Sequence, residues 1–135
     1  MKYALIVAAM IEKNGWYLFG KKSKDIDPYP NCWLIIGGKV YPEKETLEAS
    51  LQREIKEEAN IEVKDIKKIG FDEDYRVRKG EMTHLIFLIY SVIYKSGEVK
   101  PGDDIEKLKW VKKSAIKKLK LAPPTIKLLK YLRWI

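Results

Sequence analysis

Three glutamates, Glu54, Glu57 and Glu58, lie three and four positions apart behind Arg53 in the stretch QREIKEEAN. On a helix turning about 100° per residue they share one arc of about 100°. That arc borders an apolar stripe of Leu47, Leu51, Ile55 and Ala59, so the carboxylates sit at the shoulder of the helix, near whatever it packs on. Like charges at this spacing repel by about a few tenths of a kcal/mol per pair on an exposed helix. A hard cation such as Mg²⁺ removes the repulsion, because it takes oxygen ligands and keeps several waters. A solvated acidic patch, partnered by Lys56 and Arg53, is the other reading. From the glutamates alone it is the simpler one.

The residues upstream shift the balance. Gly37-Gly38-Lys39-Val40 ends a strand, the loop YPEK follows, and Glu45 precedes the helix. Glycines there let the backbone approach a ligand closely and leave carbonyls free to aim at a metal. One loop carbonyl and a row of helical carboxylates can thus converge on one point.

This arrangement resembles the signature of the Nudix hydrolase family: G, five residues, E, seven residues, then R-E-U-x-E-E-x-G-U, with U a bulky aliphatic. Glu45, seven residues, and Arg53-Glu54-Ile55-x-Glu57-Glu58-x-Asn60-Ile61 match its second half, with Asn60 where the family has glycine. Gly38 and Glu45 are separated by six residues instead of five. A loop absorbs an insertion, so the extra residue belongs to YPEK. Within the helix it would rotate the carboxylates off their arc. Pairing Gly37 with Glu43 restores the first spacing and breaks the second. The motif covers residues 37 to 61.

The resemblance implies an α/β/α sandwich with a mixed β-sheet (α+β), one domain over residues 1 to 135. It implies hydrolysis of a nucleoside diphosphate linked to another moiety, using Mg²⁺ or Mn²⁺. Carried over by position, Glu54, Glu57 and Glu58 bind metal with the Gly38 carbonyl, and Glu45 pairs with Arg53 to fix loop to helix. The family's general base varies: Glu54, or a residue outside the motif. Asp104 is the first outside candidate, then Asp103 and Glu106, in a segment, PGDDIEK, that otherwise reads as a polar turn. Lys39, Arg76 and Arg78 are candidate phosphate contacts, each with surface charge as its alternative. Trp33, Tyr29 and Phe87 suit core packing better than base stacking. His84 reads as a sheet-face residue and Cys32 as a small buried hydrophobe.

The elements that must position these residues follow from periodicity. Residues 2 to 11 read as a strand, Asn14-Gly15 as a hairpin turn and WYLFGKK as its return. SKDIDPYPN is a polar loop. CWLII is a short buried strand, and residues 46 to 59 are the helix, with Asn60 as its left-handed cap. Residues 61 to 78 alternate as a strand or two, and residues 82 to 94 form the strongest strand. KLKWV is a further strand, residues 114 to 120 a short helix, and residues 123 to 135 a terminal helix opened by two prolines. Strands around one helix, then a closing helix, predict a mixed sheet with helices on both faces.

Composition narrows the function classes. The chain is 46% hydrophobic, enough for a core and against disorder. A lone cysteine excludes a disulfide framework and points to the cytoplasm. The N-terminal run reads as a strand, not a signal peptide, and the apolar run 82–94 is too short to span a bilayer as a helix, so no membrane role is expected. Abundant Lys, Glu and Ile with one Gln resemble a thermophile's usage. A net charge of +8 suits anionic partners. The lysines occur in every segment, so a solvated surface is favoured over a nucleic-acid face. The leading expectation is a metal-dependent pyrophosphohydrolase on a nucleotide such as a nucleoside triphosphate or ADP-ribose. A non-catalytic nucleotide- or RNA-binding module on the same scaffold is the alternative, and an isopentenyl diphosphate isomerase ranks last. A homodimer is left open.

Overall fold

The computed structural model describes residues 2–135, with the side chain of Arg78 excepted. Seven strands form one mixed sheet: β1 (Lys2–Lys13), β2 (Trp16–Lys22), β3 (Trp33–Leu34), β4 (Ile36–Lys39), β5 (Glu62–Arg78), β6 (Glu81–Ser96) and β7 (Ile105–Lys112). Helix α1 (Leu47–Ala59) packs on one face and α2 (Pro123–Tyr131) on the other, with a 3₁₀ turn at Lys113–Lys118 before it.

Alternation along β1 supplies both cores. Val7, Ala9 and Ile11 point to α1, where they meet Leu51, Ile55 and Ala59. Ala8 and Met10 point to the other face and meet Leu128 and Leu129 of α2. A strand buried on both sides reads as a continuous apolar run, which is why IVAAMI carries no charge.

The sheet forks beside β1. One edge of β1 pairs in parallel with β6 along nearly its whole length, from Lys2 opposite Thr83 to Glu12 opposite Ile93. Its other edge is shared. β2 holds only Glu12 and Lys13 around the Asn14-Gly15 turn, and β4 pairs antiparallel with Ile6 to Ala9. Beyond the turn, β2 leaves β1 and pairs with β7. β4 enters the opening, so Gly37 and Gly38 lie opposite Ala8 and Val7 where α1 can reach them.

Several boundaries differ from those read in the sequence. CWLII splits into β3 and β4. Residues 62–78 form one strand, bent by three register shifts against β6. Where the sequence predicts a helix over 114–120 there is a 3₁₀ turn at Lys113–Lys118, and α2 ends at Tyr131 rather than at the terminus. Arg133 has a φ of 61°, which a continuing helix does not tolerate. Among the described residues, no helix is long and apolar enough to cross a membrane.

Candidate active site

Helix α1 starts where Thr46 caps it: the Ala49 N–H donates to Thr46 Oγ1 at 3.1 Å. It ends at Asn60, whose φ of 63° and ψ of 29° place it in the left-handed region. Asn60 Nδ2 also donates to the Glu98 carbonyl at 3.0 Å. Glycine, which the motif carries at this position, has no side chain for that bond. Two further bonds clip the same loop to the end of α1, from Lys100 N–H to the Ala59 carbonyl (3.1 Å) and from Gly102 N–H to the Glu58 carbonyl (3.1 Å).

The clip brings Asp103 to the helix. Carboxylate oxygens of Glu54, Glu57 and Asp103 lie within 4.8 Å of one another. An octahedral Mg²⁺ holds its ligand oxygens about 3 to 4.2 Å apart, so small side-chain movements close this group on a cation. Asp104 and Glu58 stay outside the trio but line the same cavity as Glu54 and Asp103. Glu106 is exposed on β7 and belongs neither to the trio nor to the cavity lining.

Glu54 and Glu58 are 7% and 6% exposed. Burial, then the charge of Glu54, pushes the Glu58 carboxyl up to about 8, and burial raises that of Glu54. The Gly37 N–H donates to Glu58 Oε1 at 3.2 Å and offsets part of this. Glu57 is exposed. At Gly38, a Cβ would fall inside the Glu54 carboxylate. At Gly37 it would strike the Val7 carbonyl and the Ala8 backbone on β1.

Arg53 ties the motif together. Its Nη2 donates to Glu45 Oε1 at 2.6 Å and to the Lys39 carbonyl at 3.1 Å, and its Nη1 donates to Glu54 Oε1 at 2.7 Å. Arg53 holds the Glu45 carboxyl down to about 2. The loop with the extra residue turns tightly, with Lys44 and Glu45 both donating to the Tyr41 carbonyl. Glu45 therefore lands on Arg53 despite the longer spacing.

The cavity measures about 630 Å³ and runs from the carboxylates between the sheet and α2. Tyr29, Leu34, Phe87 and Leu128 give it apolar walls, while Lys39 and Arg76 stand among its lining residues. Lys39 Nζ lies 5.8 Å from the Tyr41 ring centre. The Arg76 guanidinium lies 4.4 Å over the Tyr29 ring, whose hydroxyl donates to Asp74 Oδ2 at 2.7 Å. The Arg78 side chain lies outside the described residues. Trp33 does not line the cavity, and Cys32 is half-buried near Tyr29. His84 is on the opposite face, with Nε2 2.7 Å from Glu73 and its ring stacked on Tyr75.

Sequence reasoning passed over Lys22. It is 8% exposed, lines the cavity, donates from Nζ to the Pro28 carbonyl at 3.0 Å, and its charge favours ionised Glu58. Period-two alternation from Leu18 through Gly20 was the available signal.

A NUDIX domain family model matches residues 2–132. The chain belongs to the Nudix family. It is a hydrolase acting on phosphoric anhydrides. Over 132 residues it is 30% identical to the nucleoside triphosphatase NudI of Enterobacter sp. (strain 638), covering 93% of both chains. The NudI of Escherichia coli K12 is 32% identical over 119 residues, with 83% of this chain and 84% of that protein covered. The crystal structure of a MutT NUDIX hydrolase from Burkholderia pseudomallei superposes with a TM-score of 0.82 at 25% identity. That match covers 96% of this Nudix hydrolase and 98% of the other chain. The NUDIX domain of Shewanella oneidensis NrtR, complexed with ADP ribose, shares the fold at 15% identity and a TM-score of 0.77, covering 98% of this chain and 88% of that one.

Proposed function

We propose that this Nudix hydrolase converts a nucleoside triphosphate to the monophosphate and pyrophosphate, working in the cytoplasm with Mg²⁺ or Mn²⁺. The observation that carries this reading is the convergence of Glu54, Glu57 and Asp103 oxygens at the end of a cavity wide enough for a nucleoside. The names of the NudI relatives favour a triphosphate.

The donor set fits a hard cation. It consists of carboxylate oxygens from two elements, two of the site's carboxyls are buried, and Gly38 leaves no side chain between its backbone and Glu54. Glu54, Glu57 and Asp103 would hold the ion, with Glu58 and the Gly38 carbonyl beside them. When bound, the ion neutralises phosphate oxygens and lowers the pKa of a water.

The protein's own residues do the rest. Arg53 fixes the Glu54 carboxylate and ties Glu45 and Lys39 to the helix. Lys39 and Arg76 offer positive charge to the phosphate chain, and Tyr29 and Phe87 flank the nucleoside. Water attacks one phosphorus of the anhydride, the bond to the bridging oxygen breaks, and the proton leaves to a carboxylate. Asp104 suits that task, because it lines the cavity yet stands outside the trio that would be committed to the ion.

A panel of nucleoside triphosphates, ADP-ribose, dinucleoside polyphosphates and nucleotide sugars tests the substrate, with products separated by chromatography. Monophosphate and pyrophosphate from a triphosphate support the proposal. Preference for another member overturns the substrate, and no turnover of any points to a binding module.

A further inference from the structure

Seven of residues 107–120 are lysine and none is acidic, in a chain whose net charge is +8. The structure gathers six of them on β7 and the 3₁₀ turn that follows it, with Lys120 just beyond, and all seven are exposed. Among the described residues none pairs with a carboxylate. β7 is an edge strand, bonded only to β2. Edge lysines discourage strand pairing, but Lys113, Lys117, Lys118 and Lys120 lie past the strand and cannot serve that purpose.

Two more observations point to an anion. Lys107 sits directly opposite Lys21 across the β2–β7 ladder, and like charges so placed destabilise a sheet. A polyanion lying along the strand relieves this repulsion. An aromatic ring stands among the charges on the α2 side: Lys113 Nζ lies 4.5 Å from the Trp134 ring centre. Cations beside aromatic rings are the elements with which proteins hold single strands, charge on phosphates and rings on bases.

We propose that the α2 side of β7, with the turn after it, binds single-stranded nucleic acid. Lys107, Lys109, Lys113 and Lys117 meet the phosphates, and Trp134, on the same side of the sheet as Lys107 and Lys109, lies beside the bases. The proposal stands apart from the hydrolytic reading, since none of these residues belongs to the carboxylate site.

The test is fluorescence anisotropy with labelled single-stranded RNA and DNA, the duplex of the same sequence, and phosphatidylserine vesicles, over salt from about 50 to about 200 mM. Two triple variants are compared. K107Q/K109Q/K113Q removes charge from the proposed face, and K64Q/K67Q/K68Q removes the same charge from β5. The first should lower single-strand affinity by about tenfold or more and flatten the logarithmic salt slope by about 2. The second should leave affinity near wild type. No single-strand binding by the wild type, or equal loss in both variants, overturns the proposal. Tighter binding to duplex or vesicles overturns its assignment to single strands.

Discussion

Asn60 Nδ2 donates to the Glu98 carbonyl at 3.0 Å. The bond joins the end of α1 to the loop that delivers Asp103, so the motif's exception also serves to build the site. Asn60→Gly removes a bond worth about 1 kcal/mol and relieves a left-handed conformation that costs a non-glycine residue about as much. Denaturation midpoints should therefore barely move. Metal affinity, followed by titration calorimetry, should fall as the Asp103 loop loosens.

The two glycines should fail differently. Gly37→Ala puts a methyl into the β1 backbone and should destabilise the fold by about 2 to 3 kcal/mol in urea. Gly38→Ala puts it into the Glu54 carboxylate, a flexible side chain. It should spare most of the stability and lower kcat/KM by about 100-fold through misplacement of Glu54.

Glu58 gives the metal-free protein a pH dependence with a definite sign. Its folded pKa is raised to about 8 from an ordinary 4.5. Between those values the folded protein holds a proton that the unfolded chain has released, so stability falls as pH climbs through the window. It is fully present below about 4.5 and lost by about 8. In thermal melts without metal, Glu58→Gln should flatten the curve. With Mg²⁺ added the wild type should regain stability at the alkaline end, because the ion binds the ionised carboxylates.

The helix and its carboxylates were legible because a 3.6-residue period and a fixed motif specify which side chains share a face. Fold class followed from the order of strands and helices. The fork at β1 was not legible: it depends on β2 and β4 sharing one edge, a pairing no local pattern reports. Asp103 and Asp104 are adjacent, chemically alike and both line the cavity, so no sequence pattern says which of them joins Glu54 and Glu57. Lys22 was obscured by its type, since buried lysines are rare.

The division of roles between Asp103 and Asp104 is itself testable. Asp104→Asn should lower kcat by about 10² to 10⁴, the range for a lost general base, with metal affinity unchanged. Asp103→Asn should weaken metal binding by about tenfold or more, as loss of a ligand or its support does. Equal effects on both parameters in both variants would place the two aspartates in one role.

The most direct measurement is a steady-state Mg²⁺ titration of nucleoside triphosphate hydrolysis, comparing the wild type with Glu57→Gln. Glu57 is exposed and outside the core, so the variant should fold normally. Saturable, metal-dependent release of pyrophosphate, reduced by about 100-fold or more in the variant, is the predicted result. Release that proceeds equally in the presence of a chelator, or equally in the variant, would contradict a metal-assisted reaction on α1.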